Sequence, residues 1–444
     1  MKQSKYNIFV PHGGFTILYN SFSDRFLGIS NHIASLLKSK SIDLEDFKRQ
    51  VPSVFNKMIE LGMIIDNQKD ELALLNEKYQ KAKFHNRKLY FMVYPTQDCN
   101  LKCWYCYESH KKGTKMSQNT LLSIIKHVER GIKANEFDSI HLALFGGEPL
   151  LNFSHVAYPL AKEIKQMCEN AGKEFSSFFV TNASLVTEDI VDKLSELNPY
   201  FQITIDGNEE KHDSVRIWKR DNKGTYRQII KAIHLISQRI PSPQNSDDPL
   251  VTLRINYDNI TLSNIDSILT DLKDIDKNKV RIHFERVWQT RSMIDKDQQR
   301  LLTEVLAKFV KTGFIISHGV FRKKAIACPS DSMSFFIVNY DGTIHKCNGR
   351  TLGDGTQEGT LNSNGIVEWD IARRDKRMEL KTFDNPACLS CKILPLCMGP
   401  CSQKVLETGK FSKEICSKNS IDISIESYLS FEFEMRYYLE HLNK

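Results

Sequence analysis

An α/β fold with a parallel sheet is predicted for the middle of this 444-residue chain by three observations. Six hydrophobic runs between residues 89 and 284 have the length of strands, helical stretches alternate with them, and no run reaches the ~18 apolar residues of a membrane span. Parallel strands need crossovers, so six βα units in succession imply a sheet with helices outside. A partial (β/α)6 barrel of the TIM-like kind fits best, and it places chemistry at the C-terminal ends of its strands.

Residues 1–65 are predicted to form a small winged-helix-like module. The turn His12-Gly13-Gly14 joins two strand-like runs, a third run lies near residues 26–29, and three helical segments follow between residues 31 and 62. Residues 66–87 are charged and are predicted to form a linker helix.

Residues 88–319 contain the six βα units. The predicted strands are Leu89–Tyr94, Ile140–Phe145, Phe178–Thr181, Phe201–Ile205, Val251–Tyr257 and Val280–Phe284. The predicted helices lie near residues 117–132, 154–171, 187–197, 226–239, 261–273 and 297–313. Residues 320–444 combine short strands, turns, cysteines and a final amphipathic helix, Ser424–Leu442, around a core that needs bound metal for stability.

Composition narrows the function classes. Basic and acidic residues are interleaved and leave a net charge of only +7, so the sequence predicts no nucleic-acid partner. No signal peptide or membrane span is evident, and we expect a cytoplasmic protein. Eleven cysteines then indicate metal or redox chemistry, since the cytosol keeps thiols reduced. Of these, Cys168 stands alone and is predicted to be a buried apolar residue.

Cys99, Cys103 and Cys106 follow the first predicted barrel strand directly. Three thiolates this close on one loop suit a single metal centre, and an iron–sulfur cube with three protein ligands keeps one iron open. Zinc is the alternative, but a structural zinc site closes with a fourth ligand, and no partner pair is local.

The C-x3-C-x2-C spacing, with Tyr105 before the third cysteine, resembles the radical S-adenosylmethionine (radical SAM) superfamily. The resemblance implies that Cys99, Cys103 and Cys106 bind a 4Fe-4S cluster whose open iron is chelated by SAM, and that Tyr105 lies against adenine. The next strand ends in Gly146-Gly147-Glu148-Pro149, which matches the family's GGEP motif. Its glycines let backbone approach the ligand, and Glu148 can accept a hydrogen bond from the methionine ammonium.

Two further strand ends extend the resemblance. Thr181-Asn182-Ala183 stands where the family often has T-N-G, which implies that Asn182 contacts ribose or carboxylate. Thr204-Ile205-Asp206-Gly207, followed by His212 and Arg216, is similar to the S-L-D-G…H…R pattern of the peptide-modifying branch. Asp206 would orient SAM or substrate, although an Asp-Gly turn is the simpler alternative. Arg254, on the fifth strand, is a further candidate for the SAM carboxylate.

Seven cysteines in the C-terminal segment resemble the SPASM pattern, which implies two auxiliary 4Fe-4S clusters. By this resemblance one cluster is bound by Cys388, Cys391, Cys397 and Cys416. The other has three ligands, Cys328, Cys347 and Cys401. Its fourth ligand stays open, either as an iron for a substrate thiolate or as a non-cysteine group such as His318.

The resemblance implies reductive cleavage of SAM to a 5′-deoxyadenosyl radical, which abstracts hydrogen from a substrate carbon. An external one-electron reductant such as flavodoxin or ferredoxin is then required. Residues 1–65 resemble the element that binds the leader of a ribosomally made precursor peptide, so the expected product is an oxidised peptide with a thioether or C–C crosslink. A dimerisation or packing domain is the alternative for this module.

Two other functions share some of these sequence features. A sulfatase-type formylglycine maturase carries the same clusters, but such enzymes have an aspartate after the cysteine matched by Cys347, and here that residue is Asn348. The third possibility is a non-catalytic iron–sulfur electron-transfer or binding protein, or a zinc-stabilised scaffold. Such a protein does not bind SAM and therefore does not need the GGEP motif. The sequence identifies no catalytic base.

Overall fold

The computed structural model describes residues 1–39, 42–243, 248–287, 289, 295–319 and 321–442. Among these residues, no helix is both long enough and apolar enough to cross a membrane. The chain folds into two compact units, of which the first comprises Met1–Phe84, Gly319–Asp331 and Glu379–Lys444 and the second His85–His318 and Ser332–Met378. Residues grouped from sequence as 320–444 are thus divided between the units, and Val320, at the expected boundary, lies outside the described residues.

The first unit begins with five strands and four helices. They are β1 Lys2–Gln3, β2 Asn7–His12, β3 Phe15–Asn20, β4 Arg25–Ser30, α1 Asn31–Lys38, α2 Leu44–Gln50, α3 Pro52–Glu60, β5 Ile64–Ile65 and α4 Glu71–Phe84. Strands β2, β3 and β4 form an antiparallel sheet, and β1 pairs with β5. Leu18, Phe47 and Phe55 pack in one buried cluster. The expected strands and helices are present, and the recognition role of this module stays a prediction.

The described residues of the second unit contain eleven strands. They are β6 Lys88–Val93, β7 Ser139–Leu144, β8 Glu174–Thr181, β9 Pro199–Ile205, β10 Val251–Tyr257, β11 Val280–Arg286, β12 Ile315–His318, β13 Phe335–Val338, β14 Thr343–His345, β15 Gln357–Leu361 and β16 Val367–Trp369. One sheet joins them in the order β12-β11-β10-β9-β8-β7-β6-β13-β14-β15-β16. Neighbours from β12 to β6 follow chain order and are parallel, as successive βα units require.

Helices supply the crossovers between the parallel strands. The helices of this unit are α5 Gln118–Lys133, α6 Tyr158–Asn170, α7 Glu188–Ser195, α8 Glu209–Val215, α9 Tyr226–Arg239, α10 Asn259–Ser263, α11 Ile265–Asp271, α12 Lys296–Lys311 and α13 Ile371–Met378. On β10, Leu253 and Ile255 are fully buried, whereas the alternate residues Thr252 and Arg254 are half-buried. The period-two pattern gives the sheet one apolar face and one partly polar face.

The sheet is larger than the six predicted strands. The seventh parallel strand, β12, is only four residues long and falls within a stretch too short to be recognised by pattern. Strand β13 adds parallel to β6, although about 240 residues separate them in the chain, and β14 to β16 continue from it antiparallel. Non-local pairing of this kind leaves no local signal in the sequence.

The first unit is completed by four C-terminal helices. They are α14 Pro386–Leu389, α15 Leu394–Cys397, α16 Ser402–Thr408 and α17 Ile425–Leu442. Helix α17 packs on the N-terminal sheet, where the Phe433 ring contacts those of Phe15 and Phe26 and Arg436 pairs with Asp24 at 3.0 Å. The C-terminal helix therefore belongs to the same core as the N-terminal strands.

Two glycines after β7 allow close packing against the segment that precedes Cys99. Gly146 has a left-handed φ of +107°, and a Cβ there would lie 2.4 Å from the Thr96 carbonyl oxygen. A Cβ on Gly147 would lie 2.0 Å from the Asp98 carbonyl oxygen. The sequence predicted that these glycines admit a ligand; in the structure they admit the backbone that leads into the cysteine loop.

We expect Gly147→Ala to lower the free energy of unfolding by about 1–3 kcal/mol, because the new methyl group overlaps backbone that cannot swing away. Gly355→Ala is the matched control in the same unit, since a Cβ there meets nothing within 4 Å. Urea unfolding followed by circular dichroism measures both. Equal stability of the two variants would contradict the packing described here.

Candidate functional site

The cysteine loop, residues 99–113, runs from the C-terminal side of β6 and is closed at its base by Asp98. The Asp98 carboxylate accepts hydrogen bonds from the N–H groups of Cys99 and Gly113, both at 2.8 Å. Lys219 Nζ lies 3.4 Å from the same carboxylate. Burial alone raises the pKa of Asp98, but these donors hold it below its usual range, so the anchor stays ionised.

The loop is braced from a second side by the segment after α8. Lys102 N–H donates to Ile217 O at 3.1 Å, and Lys219 N–H donates to Asn100 O at 2.9 Å. This short antiparallel bridge pairs Leu101 with Trp218, and both side chains are buried. The loop thus gains a fixed shape without a helix or strand of its own.

The three thiols of the loop differ in exposure, from buried Cys99 through half-buried Cys103 to exposed Cys106. Donors face the sulfur of Cys99: the Leu101 N–H lies at 3.4 Å and Asn182 Nδ2 at 3.8 Å. Burial raises the pKa of all three thiols, that of Cys106 to about 11. A metal centre that binds them therefore displaces protons.

Tyr105 connects the loop to two strand ends. Its hydroxyl donates to Asp206 Oδ2 at 2.8 Å and accepts hydrogen bonds from Arg216 Nη2 and Asn256 Nδ2, each at 2.9 Å. Arg216 also pairs directly with Asp206. Burial raises the pKa of Tyr105, so its hydroxyl stays protonated and keeps donating. The contact of Tyr105 with adenine stays a prediction.

Asp206 and His212, which belong to the sequence pattern at the end of β9, are connected by a hydrogen bond. The Asp206 N–H donates to His212 Nδ1 at 3.3 Å, and His212 Nε2 lies 3.1 Å from the Thr225 hydroxyl. Burial, and then the charge of Arg216, lowers the pKa of His212 well below its usual value, so the imidazole is neutral. Asp206 is 2% exposed, and its Oδ1 has no hydrogen-bond partner among the described residues.

Glu148 is fully buried behind the loop and ties two strand ends together. Its Oε1 accepts from the Thr181 hydroxyl at 2.7 Å and from the Leu150 N–H at 3.0 Å, and its Oε2 accepts from the Asn182 N–H at 2.8 Å. Pro149 follows it in the first turn of a short 3-10 helix. Burial raises the pKa of Glu148 to about 7, against the opposing effect of these donors. Its contact with a SAM ammonium stays a prediction.

Asn182 lies between the cysteine loop and Glu148. Its side-chain Nδ2 donates to Asn100 Oδ1 at 2.9 Å, and its Oδ1 accepts from the Ser184 N–H at 2.9 Å. Ala183, which replaces the family's glycine, is buried with a left-handed φ of 59°. An alanine in this conformation is strained, so the surrounding contacts hold the turn in place.

A row of polar side chains on β10 to β12 continues from Tyr105. Arg254 Nε donates to Asn256 Oδ1 at 2.9 Å, which connects Arg254 to the cysteine loop. His283 lies 3.2 Å from Glu285 Oε2 and 2.9 Å from the Ser317 hydroxyl. Sequence analysis missed Asn256, His283, Glu285 and Ser317. The signal that could have found them is the polar residue at every second position of β10 and β11.

The first unit contains six of the C-terminal cysteines. Burial, and then the nearby thiols of Cys397, Cys416 and Cys391, raises the pKa of Cys388, so these four cysteines lie in one neighbourhood. Donors again face sulfur, with Asn385 Nδ2 at 3.3 Å from Cys388 and the Gly399 N–H at 3.5 Å from Cys397. Cys328 interacts with Cys401, whereas Cys347 and His318 belong to the second unit.

Donors face the sulfur atoms of Cys99, Cys388 and Cys397, and the number of clusters that the cysteines bind stays a prediction. N–H groups directed at cysteine sulfur are the environment of iron–sulfur clusters, in which they tune the reduction potential. Within the described residues, no three His, Cys, Asp or Glu side chains are close enough to bind a single metal ion. The orphaned Asp206 Oδ1, beside Tyr105, fits a polar ligand group at the strand ends.

The chain is similar in sequence to one protein family and to several known proteins. Residues 93–272 match the Radical SAM superfamily. The chain is similar to uncharacterized protein MJ0907 of Methanocaldococcus jannaschii, with 32% identity over 33% of this chain and 48% of that protein. It is similar to the radical SAM cyclopropyl synthase TigE of Paramaledivibacter caminithermalis, with 23% identity over 43% of this chain and 42% of TigE. These matches span less than half the length of either relative.

A third relative is matched more completely. The cysteine-type anaerobic sulfatase-maturating enzyme of Clostridium novyi is 21% identical over 71% of this chain and 88% of that enzyme.

Two solved structures extend the comparison to the fold. Native anSMEcpe with bound AdoMet and Kp18Cys peptide has a TM-score of 0.55 and 19% identity over 80% of this chain and 99% of that chain. Streptococcus suis SuiB bound to precursor peptide SuiA has a TM-score of 0.51 and 15% identity over 91% of this chain and 96% of that chain. The protein thus carries a radical SAM domain over residues 93–272, in a fold similar to those of anSMEcpe and SuiB.

Proposed function

We propose that this protein is a radical SAM enzyme that installs an oxidative modification, a thioether or C–C crosslink, on a ribosomally made precursor peptide. The observation that carries the proposal is the Cys99–Cys106 loop, whose Tyr105 hydroxyl is bonded to the strand-end residues Asp206 and Asn256. Cys99, Cys103 and Cys106 would hold a 4Fe-4S cluster, which, given one electron from an external reductant, would supply the reductive cleavage of SAM that starts hydrogen abstraction from the peptide.

The residues of this chain bind and orient the cofactor in this proposal. Cys99, Cys103 and Cys106 hold the cluster, and Asn182 Nδ2, directed at Cys99 sulfur, tunes it. Asp206 Oδ1 is the acceptor left for SAM or substrate, because its other oxygen is occupied by Tyr105 and Arg216. Gly146, Gly147, Glu148 and Pro149 form the SAM-facing turn, and Arg254 extends the contact along β10.

In this proposal one auxiliary cluster is held by the neighbouring cysteines of the first unit, Cys388, Cys391, Cys397 and Cys416. The set Cys328, Cys347 and Cys401 remains the sequence-based assignment for the other. Clusters held by these cysteines would supply an acceptor for the electron released when the product bond forms, and the net reaction would then be oxidative.

The N-terminal module binds the leader of the precursor peptide in this proposal. Its sheet has two edges, β2 and β4. On β2, Pro11 has no N–H, and the Asn7 carbonyl accepts a hydrogen bond from Lys392 Nζ at 2.7 Å. Strand β4 is therefore the edge suited to an added peptide strand. That SuiB has been solved with its precursor peptide supports a peptide partner.

A sulfatase-type maturase is the second candidate, supported by the similarity to the Clostridium novyi enzyme. Against it, Asn348 occupies the position at which such enzymes carry an aspartate, and an amide cannot accept a proton as that carboxylate does.

We expect the triple substitution of Cys99, Cys103 and Cys106 by Ala to abolish 5′-deoxyadenosine formation, because no other loop of the barrel offers three adjacent thiolates. The assay combines SAM and dithionite with anaerobically reconstituted protein and detects 5′-deoxyadenosine by chromatography. Cys168→Ala is the control, since this buried cysteine lies on α6 and should leave the rate unchanged. Continued SAM cleavage by the triple variant would refute the assignment, and absence of cleavage by the unaltered protein would refute the function.

We expect a candidate precursor peptide, encoded by a neighbouring short open reading frame, to lose two hydrogens for each crosslink formed. Mass spectrometry before and after treatment measures the change, and the same peptide without its leader should react much more slowly. Conversion of a sulfatase-derived peptide to formylglycine, with no change in the precursor, would instead favour the second candidate.

A further inference from the structure

The cysteine loop and the segment that braces it carry an exposed basic surface. We define the claw-loop surface as the exposed side chains Lys102, Trp104, Lys111, Lys112, Lys115, Lys219, Arg220 and Lys223. They come from two chain segments that the Leu101–Trp218 bridge and the Asp98 carboxylate hold side by side. The charges are interleaved in the sequence and gather only in the fold.

The charge of this surface is one-sided. Between residues 98–116 and 213–224, seven exposed side chains are basic and only Asp221 is both acidic and exposed. Lys219 pairs with Asp98 and Arg220 with Asp221, whereas among the described residues no carboxylate lies within 4 Å of the ammonium groups of Lys111, Lys112 or Lys115. Unpaired charges of one sign on a single face attract a partner of the opposite sign and accelerate its association.

An exposed tryptophan gives the claw-loop surface a feature of protein interfaces. Trp104 is 60% exposed, although tryptophan is a residue type that proteins normally cover and that dominates binding energy where it is covered by a partner. Its chain neighbours include Cys106, the most exposed of the three loop cysteines. A partner seated on Trp104 therefore lies beside the metal centre rather than at a remote site.

We propose that the claw-loop surface docks a small acidic one-electron carrier protein, which reduces the centre held by Cys99, Cys103 and Cys106. The inference rests on the proposed function and specifies its partner. One electron passes from the reduced carrier to the cluster, the carrier is oxidised by one electron, and no atom is exchanged. Electron-transfer complexes are small and weak, which matches a patch of one tryptophan within a ring of lysines.

Charge reversal at Lys111, Lys112 and Lys115 tests the proposal, because none of these side chains contacts the cysteines. The matched control reverses three exposed lysines on other parts of the second unit, Lys231, Lys273 and Lys376. Each reconstituted protein is mixed with a reduced flavodoxin, an acidic electron carrier, and cluster reduction is followed by stopped-flow absorbance. Binding of the flavodoxin is measured separately by biolayer interferometry.

We expect K111E/K112E/K115E to slow reduction by flavodoxin at low salt at least about tenfold and to weaken its binding, and the control variant to change neither. Reduction by dithionite, and dithionite-driven 5′-deoxyadenosine formation, should stay unchanged in all three proteins. For the unaltered protein, added salt should slow the flavodoxin reaction steeply.

Equal flavodoxin rates for the reversed and unaltered proteins, or a rate independent of salt in the unaltered protein, would overturn the docking site. Sub-micromolar binding of a duplex DNA probe that the reversal abolishes would assign the surface to nucleic acid and overturn it equally. Failure of dithionite to drive 5′-deoxyadenosine formation in the unaltered protein would instead remove the proposed function. The salt dependence keeps the test valid if the reversed variant fails to fold.

Discussion

The rest of this structure depends on one constraint, which is that the cysteine loop is held in a fixed conformation. Residues 99–113 have no helix or strand of their own, yet three thiols have to keep a set separation for a cluster to bind. The Asp98 carboxylate closes the loop by accepting N–H groups from both of its ends. Because that carboxylate is held ionised by its donors, the base of the loop is pre-organised before any metal arrives.

The strand ends then organise around this loop. Gly146 and Gly147 let the turn after β7 pack on the backbone of residues 96–98. The Glu148 carboxylate, which follows this turn, accepts hydrogen bonds from Thr181 and Asn182. Within the cysteine loop, the Tyr105 hydroxyl forms hydrogen bonds with Asp206, Arg216 and Asn256. Residues that the sequence suggested as separate cofactor contacts thus form two hydrogen-bonded groups, both of which are connected to the cysteine loop.

Sequence patterns located the strands and the cysteines because both have local signals: hydrophobic runs in β6 to β11 and fixed spacing from Cys99 to Cys106. They did not reveal Asp98, since an aspartate before a cysteine looks like any other loop residue. Strand β12 was missed because it is short, and the pairing of β13 with β6 was missed because the two strands lie far apart in the chain. The basic surface escaped for the same reason, as its two segments lie about 100 residues apart.

The central proposal is that this chain holds three iron–sulfur clusters, one of them in its radical SAM domain. Iron, zinc and acid-labile sulfide analysis after anaerobic reconstitution tests it most directly. Three 4Fe-4S clusters predict about twelve irons and about twelve sulfides per chain with no zinc. Four or fewer irons together with bound zinc would contradict the account.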